Sequence, residues 1–299
     1  MTEFHADDFG LFTAQSERIL QCKKNGVLNG TSVFPNGDEL PNCLALLPHA
    51  GLTLTIHLNL MQGHCLADPS SVSLLTDEDG TFSVGFGELL FCPLFGKRDI
   101  YKQQLKKELS AQIHALLPVF LEKNLPLRID GHAHWHMIPV VFDALMEVIR
   151  DELLPVSYIR IPAEPFSVYL KNFVHIFPVP PINIVKSLLL CLLAQINRHR
   201  WREMLRHTKK SIFLGVLLSG CFDLRRMKAV LADAEALAKK RGCDLELLVH
   251  PGSVHEAADI AHVTNENDRL FFTSPSRELE ADALKSISKY IKCQQDILK

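Results

Sequence analysis

Several common signals are absent from this 299-residue sequence. The formal net charge is only −2, so no excess of basic residues indicates a nucleic-acid partner. The N-terminus has no basic segment followed by an apolar stretch, and we therefore expect no signal peptide. No two cysteines form a C-x-x-C pair, which favours reduced thiols in a cytoplasmic protein over a disulfide framework or a zinc knuckle.

Long hydrophobic runs are also missing. The most apolar stretch, Ile182–Ile196, contains Lys186 and is shorter than the roughly 20 residues that a membrane-spanning helix needs. We therefore predict no transmembrane segment, and a helix that is buried against the rest of the chain or against a second subunit. Hydrophobic residues still make up 47% of the sequence, which is enough for a large core.

Strand-like and helix-like segments alternate along the whole chain. Candidate strands are Glu3–Ala6, Gly30–Phe34, Leu52–His57, Leu127–Asp130, Ser157–Ile161, Ser211–Leu217 and Leu245–His250. Helical patterns lie between and after them, at Thr13–Asn25, Asp38–Leu47, Asp99–Lys123, Val140–Leu153, Ile182–Arg206, Leu224–Arg241 and Arg277–Cys293. This order predicts an α/β fold: one domain over residues 1–299, with about seven parallel strands curled into a (β/α) barrel-like sheet.

Helix ends and long connections add detail to this prediction. We expect Asp38 to cap the helix that it opens, and Gly242 to follow the end of another helix. Leu60–Arg98 and Pro162–Pro181 are rich in turn-forming residues, and we expect them to be long connections that act as binding loops or mobile segments.

Residues that can carry chemistry recur at the ends of the predicted strands. Because parallel α/β domains form their sites at the carboxyl ends of strands, these residues should meet at one face of a curled sheet. They are Asp7, Asp8, His57, Asp130, His132, Arg160 and His250. Carboxylates and imidazoles together suit a divalent metal, and a spare carboxylate beside it suits a general base.

Some of these residues also have structural interpretations. Asp7 and Asp8 precede Gly10 and could simply form a turn, or share a cation, or include one raised pKa. His57 ends a polar row on its strand and could be a hydrogen-bonded structural histidine. His250 stands before Pro251-Gly252, where it could act as a general acid or cap the strand.

The segment Asp130-Gly131-His132-Ala133-His134-Trp135-His136 is the densest group of candidates. Its alternating histidines suit two ligands only if the segment is locally extended, which we expect after a strand. One of the three histidines could instead orient a ligand or meet a substrate. A separate basic stretch, residues 198–210, reads as a solvated helix end or a contact for an anionic partner.

At these residues the sequence resembles the YdjC/ChbG-like family of carbohydrate deacetylases. The matching motifs are Ala6-Asp7-Asp8-Phe9-Gly10, His57-Leu58-Asn59-Leu60 with Gly63, Asp130 to Pro139, His250-Pro251-Gly252, and Thr273-Ser274-Pro275 with Arg277-Glu278-Leu279. They lie in order along nearly the whole chain. Two departures are His5, where the family has Asn, and Met61, where it has Thr; residues 166–210 match little of the family.

The resemblance implies a homodimeric enzyme that removes an N-acetyl group from an amino sugar or sugar conjugate. It implies one divalent ion, Mg²⁺ before Zn²⁺ or another metal, held by Asp8, His57 and His132. It also implies that Asp7 is the general base and His250 the candidate acid. We expect four further residues to contact the substrate: Asn59, His134, His136 and Arg160.

Two other functions fit parts of the pattern. A metal-dependent phosphoesterase or amidohydrolase of a histidine-rich barrel would also use such residues, but it usually has its His-x-His pair after the first strand. A non-catalytic barrel that binds sugar or metal is the other alternative, and the intact set of four candidate residues weighs against it.

Overall fold

Seven parallel strands form one hydrogen-bonded sheet, in the order β5-β4-β3-β2-β1-β7-β6. The computed structural model describes residues 1–47, 51–256, 258–261, 263 and 266–297. Within them the strands are β1 (Thr2–Phe9), β2 (Gly30–Val33), β3 (Thr53–Leu58), β4 (Leu127–Gly131), β5 (Val156–Ile159), β6 (Ser211–Leu214) and β7 (Asp244–Val249).

Helices follow the strands and cover the outside of the sheet. They are α1 (Thr13–Asn25), α2 (Leu40–Ala45), α3 (Phe86–Phe91), α4 (Arg98–Glu122), α5 (Pro139–Asp151), α6 (Phe166–Lys171), α7 (Phe173–Ile176), α8 (Pro181–Arg200), α9 (Arg202–Leu205), α10 (Leu224–Arg241), α11 (Glu266–Phe272) and α12 (Pro275–Ile297). Short 3₁₀ segments cover Pro69–Ser71, Cys92–Phe95 and His132–Met137.

The sheet curls into a half-barrel whose two edge strands approach each other. The backbone N–H of Lys209, two residues before β6, donates to the carbonyl of Ser157 on β5 over 2.8 Å. A single bridge between Tyr158 and Lys209 joins the two edges there, and the described residues show no longer ladder between β5 and β6. The α/β fold with seven parallel strands is therefore confirmed.

Alternate residues of each strand face the helices or the inside of the curve, as the two-residue period of a strand requires. On β3, Leu54, Ile56 and Leu58 are buried in the hydrophobic core beneath the helices. Thr55 and His57 face inward, where they contact polar groups of β4. The carboxyl ends of the strands thus present a row of polar side chains on the inner face.

All seven predicted strands are present, with ends that differ by no more than three residues. The helices Thr13–Asn25 and Leu224–Arg241 have the predicted bounds, and Gly242 adopts the left-handed conformation expected after a helix, with φ 62°. The prediction that Asp38 caps α2 is wrong. Glu39 occupies the cap position, and its carboxylate accepts from the backbone N–H of Thr13 instead.

Three other expectations need correction. The predicted helix Ile182–Arg206 is two helices, because the chain turns at Trp201, whose indole N–H donates to Asp143 over 2.7 Å. The two long connections are not loops throughout. The first contains α3 and two 3₁₀ segments, and the second contains α6 and α7, whose apolar side chains pack onto the core.

Helix α8 has one buried face and one exposed face. Leu190, Leu193 and Ala194 are buried against the core, as predicted for the most apolar stretch. An exposed apolar row runs along its other side: Ile182, Val185, Leu188, Leu192 and Ile196. Among the described helices, none combines the length and the apolar character needed to cross a membrane.

Candidate functional site

Asp7 and Asp8 reach the same site through a distortion at the end of β1. Strand alternation alone would point them to opposite faces of the sheet. The pairing of β1 with β2 shifts in register between Ala6 and Phe9, and Asp8 has a φ of 74°. A non-glycine residue in this region is uncommon, and such strain is often found at functional sites. The distortion brings both carboxylates to the carboxyl end of the sheet.

Asp8, His57 and His132 form a buried cluster that could hold a metal ion. Asp8 Oδ1 lies 3.3 Å from His132 Nδ1 and 3.8 Å from His57 Nε2. The ring of Phe34 packs against both imidazoles, with centroid distances of 4.9 Å and 5.1 Å, and closes one side of the cluster. These three residues are the predicted ligand set, and the fold brings their donor atoms together.

The donor atoms fit a cation. Asp8 Oδ1 and His57 Nε2 are buried, and neither has a hydrogen-bond partner among the described residues. Buried polar atoms are rarely left in this state, so they indicate a ligand. The other nitrogen of His57, Nδ1, lies 2.7 Å from Asp130 Oδ1. A carboxylate in this position holds the proton on Nδ1 and leaves the Nε2 lone pair free for a metal, as is common for metal-binding histidines.

Charges around the cluster keep the Asp8 carboxylate ionised. Burial alone would raise the pKa of Asp8, but its contacts with His132 and Arg277 hold that pKa well below its usual range. Arg277 Nη1 donates to Asp8 Oδ2 over 3.2 Å, and Oδ1 is the oxygen without a hydrogen bond. Burial would lower the pKa of His57, but the carboxylates of Asp130, Asp7 and Asp8 raise it instead.

Asp7 lies beside the cluster and is held by Arg160. Arg160 Nη1 donates to both carboxylate oxygens of Asp7, over 2.9 Å and 3.0 Å. Asp7 Oδ2 lies 3.9 Å from His57 Nε2, while Oδ1 lies 3.7 Å from His5 Nε2. Oδ2 is therefore the oxygen nearer the cluster. This arrangement leaves Asp7 beside, rather than within, the set of three candidate ligands.

Arg160 is fully buried inside the half-barrel. Besides Asp7 it contacts Asp130, at 2.6 Å, and Glu246, whose Oε1 accepts from Nε over 2.7 Å. Tyr158 donates to the second oxygen of Glu246. These contacts surround Arg160 with carboxylates and leave it no exposure to solvent. We predicted a substrate contact for this residue; its position favours a role in holding Asp7 and Asp130.

The His-x-His-x-His segment after β4 is not extended, so the prediction of an extended backbone there is wrong. Residues 132–137 form a tight 3₁₀ turn in which Ala133 and His134 have φ of 46° and 62°. His136 is therefore folded back under Gly131, where a β-carbon would lie 2.8 Å from its ring. The turn sends His132 to the cluster and separates it from the other two histidines.

His134 and His136 are buried and neutral near pH 7. Burial and the nearby Arg160 charge lower the pKa of His134 well below its usual range. Burial lowers the pKa of His136 to about 4, although its Nε2 lies 2.8 Å from the Arg160 carbonyl and can donate to it. In both rings Nδ1 has no described partner. Each of these nitrogens can bind a ligand only if its ring borders the substrate pocket.

His250 lies at the carboxyl end of β7 and is partly exposed. Its backbone N–H donates to Glu280 Oε2 over 2.6 Å, and its Nδ1 lies 3.9 Å from the same oxygen. Its ring packs near Phe271, with a centroid distance of 6.0 Å. Its charge, when present, lowers the pKa of Asp8, which places it within electrostatic range of the cluster.

Asn59 is buried and already fully hydrogen-bonded. Its amide donates to Asn36 Oδ1 and to the Gln62 carbonyl, and its oxygen accepts from the N–H groups of Met61 and Gln62. These bonds fold the loop that follows β3. The predicted substrate contact therefore has no free polar atom of Asn59 to use.

Sequence analysis missed three residues that shape the site: Arg277, Phe34 and Glu280. Arg277 was visible only as part of a family motif, and nothing in its local sequence indicated that it would pair with Asp8, 269 residues away. Phe34 reads as an ordinary strand residue. Only the fold shows that these side chains meet.

Comparison with known proteins shows which family the chain resembles over most of its length. A family model for YdjC-like proteins matches residues 3–289. Over 164 residues the chain is 28% identical to a carbohydrate deacetylase of Danio rerio, covering 53% of this chain and 49% of that protein. Over 155 residues it is 31% identical to a carbohydrate deacetylase of Thermoanaerobacter pseudethanolicus, covering 51% and 57%.

A chitooligosaccharide deacetylase of Proteus mirabilis is 27% identical over 163 residues, with 54% of this chain and 59% of that protein covered. The matches thus span about half the length of these curated relatives. The crystal structure of a protein from Enterococcus faecalis V583, named for cellobiose-phosphate cleavage, superposes with a TM-score of 0.63 at 16% identity, covering 95% of this chain and 90% of that one. This last likeness shows the fold alone. Because the family model covers nearly the whole chain, the protein belongs to the YdjC-like family.

Proposed function

We propose that the protein is a metal-dependent hydrolase that removes the acetyl group from an N-acetylated amino sugar or glycoconjugate. One observation carries this proposal: two buried, unpartnered donor atoms, Asp8 Oδ1 and His57 Nε2, converge with His132 at the carboxyl end of the sheet. Asp7 lies beside them with one oxygen turned toward the cluster. The names of the curated relatives supply the substrate class.

Asp8, His57 and His132 would hold one divalent cation. When bound, such an ion polarises a carbonyl oxygen and lowers the pKa of a water ligand. The expected ion from the family resemblance is Mg²⁺. Two imidazoles in the ligand set favour Zn²⁺ or another transition ion, because Mg²⁺ prefers oxygen donors. Reconstitution with each metal distinguishes these two expectations.

Asp7 is the residue best placed to accept a proton from the attacking water. Its Oδ2 faces the cluster, and Arg160 fixes the carboxylate through two hydrogen bonds to the same guanidinium nitrogen. A base held in one orientation loses little freedom when the reaction begins, which helps proton transfer. We therefore assign Arg160 to positioning Asp7, in place of the substrate contact expected from the sequence.

His250 is the better candidate for the acid that protonates the departing amine. It is partly exposed at the mouth of the site, and Glu280 holds its backbone in place. His134 and His136 are poor acids near neutral pH because burial keeps them unprotonated. We assign those two histidines to hydrogen bonding with the sugar or to shaping its pocket, and Asn59 to shaping the loop after β3.

The resemblance also predicts a homodimer. The exposed apolar row on α8 supports this, because a contiguous apolar surface of this kind often marks an interface. A cytoplasmic location is a further proposal, consistent with eight cysteines that are all free.

The test is release of free acetate from a panel of N-acetylated sugars, measured with chelator and after addition of Mg²⁺, Zn²⁺ or Mn²⁺. Two variants accompany the wild type. Asp8→Asn should lose bound metal and activity together. Asp7→Asn should retain the metal and lose turnover by about 10²–10⁴-fold, the usual contribution of a general base.

Full activity in chelator would reject the requirement for a metal. Near-normal turnover of both Asp7→Asn and the double variant Asp7→Asn with His5→Asn would reject Asp7 as the general base. Phosphate ester hydrolysis without acetate release would favour a phosphoesterase. Tight sugar binding without turnover under every metal would favour a non-catalytic binding protein.

A further inference from the structure

The basic stretch, residues 198–210, takes no part in the proposed hydrolysis, yet the fold gathers its cationic side chains around one cavity. The cavity has a volume of about 580 Å³. That lies within the range of about 300–1,000 Å³ that is usual for small-molecule sites. Six cationic side chains line it: Arg198, Arg202, Arg206, Lys209, Lys210 and Arg241.

Their charge is almost unopposed. Among the described residues that line the cavity, none is acidic. Glu203 lies nearby, where it pairs with Arg206 at 2.7 Å and lies 3.7 Å from Arg202. The remaining four have no carboxylate partner in the described part of the chain: Arg198, Lys209, Lys210 and Arg241.

Arg198 and Arg241 come from different helices and face the same cavity. Partial desolvation and the nearby charge of Arg241 lower the pKa of the Arg198 guanidinium. Like charges placed close together repel, and an anion between the two guanidinium groups would relieve that repulsion. The fold thus gathers positive charge in a place where, among the described residues, Glu203 is the one carboxylate paired with it, through Arg202 and Arg206.

The floor of the cavity is apolar. Ile159 of β5 and Ile212 of β6 are buried there, and Ile161 and Leu205 complete it. This is the gap in which the two edge strands part beyond the Lys209 bridge. Strand alternation turns Ile159 and Ile161 toward the cavity, whereas Arg160 between them faces Asp7 inside the half-barrel. The cavity is therefore outside the curve of the sheet, on the opposite face from the candidate active site.

We propose that this cavity binds a small organic phosphate with at least two negative charges, such as a nucleoside diphosphate. Guanidinium groups match the geometry of phosphate oxygens and can bind them in a bidentate manner. The apolar floor would receive the organic part of the ligand. The cations are arranged around a concave site and not along an extended strip, which favours a small ligand over a nucleic acid or a membrane.

The experiment is isothermal titration calorimetry of the purified protein with ADP, inorganic pyrophosphate and adenosine. The test variant is Arg198→Glu with Lys210→Glu. The matched control is Lys24→Glu with Lys123→Glu, which makes the same change in net charge at two exposed positions outside the cavity. Circular dichroism and thermal unfolding establish that both variants fold. Single-stranded oligonucleotide and vesicles of mixed phosphatidylcholine and phosphatidylserine are titrated in parallel.

We expect saturable binding of ADP that weakens as salt is added, and no binding of adenosine. The test variant should bind ADP about tenfold more weakly or worse, because charge-assisted hydrogen bonds are lost, while the control binds as the wild type does. Pyrophosphate should bind more weakly than ADP; equal affinity would overturn the role of the apolar floor.

No saturable binding of ADP, or equal binding by both variants, would overturn the proposal. Binding of oligonucleotide or vesicles in preference to ADP would overturn it in favour of a macromolecular partner. If the test variant does not fold, Arg241→Gln replaces it, with the same expected loss and Lys24→Gln as its control. None of these readouts uses deacetylation, so failure here leaves the proposed function untouched.

Discussion

The two faces of the seven-stranded sheet have opposite chemistry. The outer face, covered by helices, is built from aliphatic side chains such as Leu54, Ile56 and Leu58. The inner face carries hydrogen-bonded charges from β1, β4 and β7 and from the end of β5: Glu3, Asp7, Arg128, Asp130, Arg160 and Glu246. Closed eight-stranded (β/α) barrels usually fill this space with branched aliphatic residues. The outer face therefore supplies the stability that the inner face needs in order to hold charges out of water.

On the inner face, carboxylates outnumber arginines. Four carboxylates and two arginines form the hydrogen-bonded network described above, with His5 between Glu3 and Ser32. An excess of carboxylate beside the Asp8 cluster favours a bound cation. The comparison indicates a division of roles between the two faces. The inner face holds the charged groups around the Asp8 cluster, and the apolar outer face stabilises the fold. Four predictions test that division.

Replacing Arg160 should have the largest effect. Arg160→Met leaves Asp7, Asp130 and Glu246 without their common cation, and breaking a buried ion pair on one side lowers the free energy of unfolding by about 3–5 kcal/mol. Acetate release should fall as well, because Asp7 loses its support. Urea unfolding and turnover check this, with Arg160→Lys as the conservative control. A stable and active Arg160→Met protein would show that the inner network is dispensable.

Truncating the outer face should lower stability without affecting chemistry. Leu54→Ala leaves a cavity beneath the helices, and such changes lower the free energy of unfolding by about 2–5 kcal/mol. Thr55 and His57 face inward, so the side chain of Leu54 lies on the opposite side of β3 from the candidate ligands. Metal content and turnover, measured well below the melting temperature, should match the wild type. A variant that is stable but inactive would contradict the division between the two faces.

The sequence revealed the outer face better than the inner one. Periodicity located every strand because apolar alternation is local, as Leu54, Ile56 and Leu58 show. The same alternation exposed His57 as an inward residue. It could not show that Arg160 is enclosed by three carboxylates from three other strands, since that depends on how far the sheet curls.

The turn at His132–Met137 was missed for a different reason. Alternating histidines suggest an extended segment, but Ala133 and His134 adopt left-handed conformations that only a surrounding structure can impose. Helices α6 and α7 were missed because the prolines around them read as a loop. In each case tertiary packing overrides the local signal.

Acid should destabilise the protein partly through the inner face. The pKa of His136 is lowered from its ordinary 6.5 to about 4 by burial. Between pH 6.5 and 4, His136 is therefore protonated in the unfolded chain but neutral in the folded chain. Its contribution to the free energy of unfolding is complete above pH 6.5 and is lost as the pH falls toward 4. The shift corresponds to about 3 kcal/mol.

His136→Gln keeps a donor near the Arg160 carbonyl but cannot titrate. Its free energy of unfolding should thus fall less than that of the wild type between pH 6.5 and 4, measured by urea titration at each pH in chelator. Since His134 is unchanged in both proteins, it contributes equally to both curves. Parallel pH curves for the two proteins would mean that His136 is not buried as a neutral ring.

The smallest effect on the stability of the chain should come from the solvent-exposed side of α8. Leu188 lies in the middle of the exposed row on α8 and is 54% exposed, so Leu188→Asp should alter the free energy of unfolding by no more than about 0.5 kcal/mol.

If the row pairs with a second subunit, the same change buries a carboxylate against apolar residues and should convert a dimer into a monomer. Light scattering coupled to size exclusion measures this, and Gln103→Asp, at an exposed position of α4, should leave the mass unchanged. A mass that is the same for the wild type and for Leu188→Asp would mean that the apolar row is not the dimer contact. The exposed apolar row of α8 would then remain open to solvent.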